Sequence, residues 1–259
     1  MASILVLLLF FCLQDTNGAE IQSAPAQDED LSVLLDRVAE RIGAYPEMER
    51  WTATVRTKVM EMNKKWEPKK TVLVTKKVSI DGTTRSEEIL KALEIKKGGE
   101  KDITQQYRDE IQKQAEKARK REEKGKDGGV RGRKELSRDQ ILPLRKNQRE
   151  DLEFSIKEET VFNGIPVYIL ESRSLIKDED LYTGTYTISK ENLDVLRVEI
   201  SPTKKPSVIK TLEMAFEFQV LPGGYMAVKR TWFKMHLNVI IKVIRMEAEE
   251  EYSNIEVLN

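Results

Sequence analysis

The chain has 259 residues, of which 39% are hydrophobic and 34% charged, with 44 Lys+Arg against 44 Asp+Glu. Zero net charge excludes a global field that would steer it to nucleic acid or an anionic membrane, so any electrostatic function is local. One histidine, His236, and one cysteine, Cys12, exclude a zinc site built from several such ligands, and also a Ser-His-Asp or Cys-His site unless His236 is its base.

Ile4 to Leu13 form an apolar run, followed by polar Gln14 to Asn17 and the small pair Gly18-Ala19. The pattern is that of a signal peptide over 1–19, cleaved after Gly18 or Ala19, with a polar linker over 20–30. The run is shorter than the roughly 20 residues a membrane span needs. Bulky Phe10 and Phe11 before Cys12 are wrong for a lipid-modified cysteine, so the mature chain carries no cysteine and holds together without disulfides. The expected location is the periplasm, and any membrane contact is peripheral.

Asp30 is positioned to cap a helix whose Leu31, Leu34, Leu35, Val38 and Ile42 form one stripe ending at Gly43. From Glu49 to Lys64, Trp51, Ala53, Val55 and Val59 alternate with polar residues, the period of a half-buried strand. Trp66-Glu67-Pro68 turns the chain into a return strand carrying Val72, Val74, Val78 and Ile80, which ends at Asp81-Gly82.

Residues 83–149 read as a charged helical insertion within the domain 31–259. Ser86 caps an expected short helix bearing Ile89, Leu90 and Leu93, stopped by Gly98-Gly99. A second helix follows with Ile103, Tyr107, Ile111, Ala115 and Ala118, a narrow stripe that fades toward Glu122-Glu123-Lys124. Between Lys101 and Lys134 stand twelve Lys/Arg and seven Asp/Glu, the composition of a solvated arm. Ser137 with Gln140 makes a capping box for a brief helix carrying Ile141 and Leu142, broken by Pro143.

Strand pattern resumes at Leu152 and turns at Asn163-Gly164, the strongest short hairpin signal. Further strands are expected over Tyr182–Ser189, Asp194–Ser201, Leu212–Val220 and Tyr225–His236, and then over Val239–Ala248 and Tyr252–Val257. Nine or ten antiparallel strands, several above about 40 Å at 3.3 Å per residue, suit one strongly curved sheet or open barrel rather than a sandwich. The fold class is therefore mainly antiparallel β with an N-terminal helix and an inserted helical arm.

With those parts in order, Phe162-Asn163-Gly164-Ile165-Pro166-Val167-Tyr168-Ile169-Leu170-Glu171 and Gly184-Thr185-Tyr186-Thr187-Ile188-Ser189, continuing to Arg197-Val198-Glu199, resemble the LolA-like outer-membrane lipoprotein-sorting proteins. The closing Glu251-Tyr252-Ser253-Asn254 is similar to the family's terminal strand. The resemblance covers residues 31–81 and 150–258. Tyr186-Thr187-Ile188-Ser189 departs from the family's Trp before Ile-Asp, and the charged insertion replaces a short connection. The resemblance implies a curved half-open barrel with an apolar concave face, lidded by helices and binding the acyl chain of a lipid or lipoprotein in the periplasm. Related folds also sense envelope stress by binding a protein partner, a role the inserted arm would suit.

No nucleophile motif such as G-x-S-x-G accompanies His236, no Gly-Gly pair has phosphate-loop spacing, and Asp178-Glu179-Asp180 lacks metal-loop spacing. No enzymatic chemistry, cofactor, metal site or nucleic-acid partner is expected. Met60, Met62, Met214, Phe216, Phe218 and Trp232 are the candidates for a lipid cavity, because Met and aromatic side chains adapt to varied acyl shapes. On the strand from Leu212, Met214, Phe216 and Phe218 share one face while Glu217 is expected on the solvent side.

Overall fold

The computed structural model describes residues 28–122, 138–145, 148–178, 181–239 and 242–258. The expected signal segment, its cleavage site and Cys12 lie outside them, as does 123–137 of the charged stretch.

Eleven strands form one curved, open antiparallel sheet: β1 (Arg50–Met62), β2 (Pro68–Asp81), β3 (Thr84–Lys96), β4 (Gly99–Asp102), β5 (Leu152–Phe162), β6 (Ile165–Ser174), β7 (Tyr182–Ser189), β8 (Val195–Pro202), β9 (Ile209–Val220), β10 (Met226–Val239) and β11 (Lys242–Val257). Their order in the sheet is β4-β3-β2-β1-β11-β10-β9-β8-β7-β6-β5. Helices α1 (Asp28–Gly43), α2 (Thr104–Glu122) and α3 (Arg138–Ile141) complete the described chain. The β5–β6 turn is the expected one: Asn163 (φ 50°) and Gly164 (φ 83°) both adopt the left-handed conformation that a two-residue hairpin turn demands.

Residues opposite one another in an antiparallel ladder share a face. One row therefore crosses eight strands as Tyr186, Val198, Phe216, Thr231, Glu250, Thr57, Val74 and Ala92. It is apolar at both ends and polar in the middle. At the first end, Leu34, Leu35, Val38 and Ile42 of α1 bury against Tyr186, Ile188, Val198 and Ile200, joined by Leu142 and Leu144 from the chain after α3. At the other end Ile103 and Tyr107 pack on Val72, Val74, Ile89 and Ala92. Both helices thus lie on the same face of the sheet. The neighbouring row, Arg197, Glu217, Arg230, Glu251 and Arg56, belongs to the opposite face and alternates in charge.

The helix expected from Ser86 is instead strand β3. Lys91 opposes Thr75 and Ile89 opposes Lys76, so Leu90 is an extra, bulged residue. The bulge sets buried Ile89 and Ala92 three positions apart, which imitates helical spacing in sequence. Gly98-Gly99 belongs to the β3–β4 hairpin, where Lys96 pairs with Gly99, rather than ending a helix. The two strands expected at the C-terminus are one, β11, kept continuous by an irregularity at Asn254 (φ 49°) where the β1–β11 register shifts.

Helix α2 is tied to the sheet at its start. Thr104 Oγ1 accepts from the Ala92 amide at 2.9 Å, and the Arg108 guanidinium donates to the Ile89 carbonyl. Three residues later Ile111 is 42% exposed, and the next apolar position, Ala115, is exposed too. No helix among the described residues is long and apolar enough to cross a membrane.

Candidate functional site

The most developed apolar layer lies between α1 and strands β6 to β9. Tyr186, Ile188, Leu170 and Val198 are fully buried there, while Tyr168, Met214, Phe216, Phe218 and Met226 pack against them only partly buried. Alternation along β9 produces this: Met214, Phe216 and Phe218 pack in the layer under α1, and Glu213, Ala215 and Glu217 face away. At the C-terminal end of α1 the layer meets a cavity of about 200 Å³. Phe218, Met226 and Ile165 supply apolar walls to it, and Tyr45, Asp194 and Asn192 a polar rim.

That rim is a clasp. Asp194 Oδ1 accepts hydrogen bonds from Arg41 Nε at 2.7 Å and from the Tyr45 hydroxyl, while the Arg41 guanidinium lies 4.7 Å above the Tyr45 ring. Asn192 Oδ1 accepts from the Asp194 amide at 3.0 Å and shapes the β7–β8 turn that presents the carboxylate. Burial, then the hydrogen bond to Asp194, push the Tyr45 hydroxyl well above the ordinary tyrosine range, so it remains a donor. The hydrogen bond to Asp194 raises Arg41 above its ordinary value, so the guanidinium stays charged in the clasp. It joins the end of α1 to the turn over the cavity.

The opposite face of the same strands carries a second depression, about 610 Å³, and its chemistry differs. Its rim of charges, Arg197, Glu199, Glu213, Glu217, Arg230 and Glu249, encloses a floor to which Ile200, Met214, Ala215 and Trp232 contribute. Arg197 bridges Glu217 (2.8 Å) and Glu199 (2.6 Å), and Arg230 reaches Glu249 at 3.3 Å. Glu217, expected in solvent, is thus ion-paired with only 21% of its side chain exposed. Such a lining would have to give up its ion pairs to bury an acyl chain.

The six residues singled out in the sequence do not form one lining. Met214, Phe216 and Phe218 pack in the α1 layer, while Trp232 lies in the charged depression, whose lining Met214 also reaches. Met60 pairs in register with Glu247 and Thr71, whereas Met62 is buried beside Pro68 at the end of β1. His236 sits edge-on to Trp66 at a ring distance of 6.2 Å, with Nε2 buried and accepting no hydrogen bond among the described residues. Burial, then the charges of Arg245 and Lys210, hold its imidazole below the ordinary histidine range. The clasp was not anticipated, although Tyr45 directly after the helix stop and the Asn192-x-Asp194 turn pattern are its sequence traces.

A third polar group interrupts the helix-bearing face. Lys76, 7% exposed, approaches Glu87 at 3.1 Å and Glu250 at 3.6 Å; Thr57 and Tyr252 donate to Glu250. Burial alone would raise the Glu87 carboxyl, but Lys76 and Arg85 outweigh it and hold it below the usual carboxylate range. The cluster separates the apolar layer under α1 from that under α2.

No family model matches the chain, and no curated protein matches it. Among solved structures it is similar to a LolA superfamily protein from Nitrosomonas europaea, at 10% identity over 88% of this chain and 93% of that one, TM-score 0.36. It is likewise similar to an outer membrane lipoprotein-sorting protein domain from Vibrio parahaemolyticus, at 12% identity over 86% and 91%, TM-score 0.37. A third likeness is to the Pseudomonas aeruginosa MucA/MucB complex, at 9% identity over 89% and 99%, TM-score 0.26.

Proposed function

We propose that the protein is a non-enzymatic periplasmic binding protein that takes up the acyl chain of a lipid or lipoprotein between α1 and the sheet. The observation that carries this is the half-buried row Met214, Phe216, Phe218 and Met226, which runs beneath α1 and opens into the cavity at the Tyr45–Asp194 clasp. Aromatic and thioether side chains accept chains of varied shape, and the helix over them shields a bound chain from water. The charged depression behind the sheet is poorly suited to the same cargo. The hairpins that resemble LolA-like proteins, 162–171 and 184–199, supply strands of this layer.

Displacement of a fluorescent fatty acid, run beside thermal melts, tests the reading. Wild-type protein should bind the probe, and Phe218→Glu should lose binding because it places a carboxylate where the chain lies. Met226→Trp, which fills the cavity without charge, should weaken binding in a folded protein. The control is Glu213→Lys, an exposed residue of the same strand that faces away from α1. Failure of the wild-type protein to bind any acyl probe would overturn the proposal.

A further inference from the structure

Three connections meet at one end of the sheet. Glu61 at the end of β1 pairs with Met246 near the start of β11, placing the β1–β2 turn beside the β10–β11 end. Trp66 of that turn stacks edge-on against His236, and the Lys234 ammonium lies 4.5 Å over its ring. The Asn238 amide donates to the Val208 carbonyl at 2.7 Å, bringing in the β8–β9 connection.

The composition of two of these three connections departs from that of the chain. Although Asp+Glu equal Lys+Arg overall, the stretches 203–212 and 234–246 hold Lys204, Lys205, Lys210, Lys234, Lys242 and Arg245 and not one Asp or Glu. On the rest of this face the ladder is balanced, with Arg197 and Arg230 each bridging two carboxylates. Here Thr211, His236 and Arg245 oppose one another, with Lys210 an extra residue at the register shift, so the row contains no carboxylate. Neither Lys210 nor Arg245 makes an ion pair among the described residues, and after burial their charges are what hold the His236 imidazole below its ordinary range. The β1–β2 turn adds two carboxylates that are already engaged: Glu67 accepts from Asn63 Nδ2 at 2.8 Å and Glu61 meets Lys69 at 3.6 Å, while Asp178 lies beside Thr203 at the far side of the β8–β9 loop. Between the cations stand exposed aliphatic residues, Val208 (38%) and Val243 (49%).

We infer that this end of the sheet docks on an anionic lipid surface. Exposed Val208, just before β9, and Val243, at the start of β11, meet the headgroup boundary, Trp66 is the amphipathic aromatic suited to that depth, and Lys65, Lys205, Lys210 and Arg245 meet lipid phosphates. The cations and the valines share one end of the strands, so a single orientation satisfies both. An acidic protein would engage the cations and leave the valines without use. The inference is independent of the acyl-chain reading: the α1 cavity lies by the β7–β8 turn, at the opposite end of the strands.

Sedimentation of the full chain with vesicles decides it. Vesicles of phosphatidylglycerol and phosphatidylethanolamine should pull the protein down at low salt, and phosphatidylcholine vesicles should not. Lys210→Gln with Arg245→Gln should weaken partitioning about 25-fold, near fivefold for each cation removed. Val208→Ser with Val243→Ser should weaken it several-fold while leaving the melting temperature unchanged, since both residues are exposed. Absence of wild-type binding to anionic vesicles would overturn the inference. So would serine variants that bind as wild type while polyglutamate competes the protein off, because the end would then serve an acidic polypeptide. Acyl-probe displacement measured on the Gln pair should be unchanged, which separates failure here from failure of the cargo site.

Discussion

The Tyr45 hydroxyl donates to Asp194 Oδ1 across 149 positions of sequence, and this bond, with Arg41 beside it, holds the C-terminal end of α1 to the β7–β8 turn. Hydrogen bonds to charged groups contribute about 1.5–3 kcal/mol. Asp194→Asn should therefore lower stability in urea denaturation by about 2 kcal/mol, with Tyr45→Phe smaller. If α1 also covers the cargo, both variants should release a bound acyl probe faster than wild type. Equal release rates would detach the clasp from binding and leave it a stability element.

Among the glycines of the described residues, Gly184 is the one whose replacement meets backbone at close range. A Cβ there would stand 1.7 Å from the Glu199 carbonyl oxygen and 2.9 Å from the Ile200 Cα. Neither can retreat without parting β7 from β8. Gly184→Ala should cost about 3 kcal/mol or more, read as a fall in urea midpoint. Gly43→Ala, whose Cβ meets nothing within 4 Å, should be close to neutral.

Removing the buried cation should expose its partners to one another. Lys76→Met leaves Glu250 without its ammonium and Glu87 with Arg85 alone, at a cost of about 3 kcal/mol at neutral pH. The loss should shrink toward pH 4 as the carboxylates protonate. A deficit independent of pH would show that the lysine acts through packing of its stem.

Stability should decline at both pH extremes for identifiable reasons. Hydrogen bonds from Lys70 and Lys96 hold Glu94 down to about 2, and Glu87 is also lowered. Both contribute stability above their unfolded values near 4.3, and that contribution is lost as pH falls through the folded ones. Tyr186 is the converse: burial pushes its hydroxyl up to about 12. Its contribution is complete below the unfolded value near 10 and is lost as pH rises toward 12. Absorbance titration should show Tyr45 and Tyr186, two of the seven tyrosines, ionising only with unfolding.

The outer part of α2 should matter little to the fold. Replacing 113–134 by a short Gly/Ser linker should change stability by less than about 1 kcal/mol, because Ile111 and Ala115 are already exposed. Ile103→Ala, in the layer over β2 and β3, should cost more, about 2–4 kcal/mol. Collapse of the sheet signal in circular dichroism on replacing the arm would make it part of the core.

Period-two alternation made β1, β2 and β7 to β10 legible in sequence because each has one face under a core and one facing water. Along β9 it also separated Met214, Phe216 and Phe218 from Glu213 and Glu217 without any knowledge of neighbours. The alternation of β3 was hidden by the bulged Leu90, a departure defined only by pairing with Thr75 and Lys76. Which apolar face receives α1 and which gathers the ion pairs depended on strands distant in sequence. Arg197, Glu217, Arg230 and Glu251 become a ladder only once β8 to β11 are in register. Tyr45 and Asp194, and likewise Trp66 and His236, carry no mutual signal in a single chain, because long-range contacts arise from the registration of strands distant in sequence and not from any local spacing.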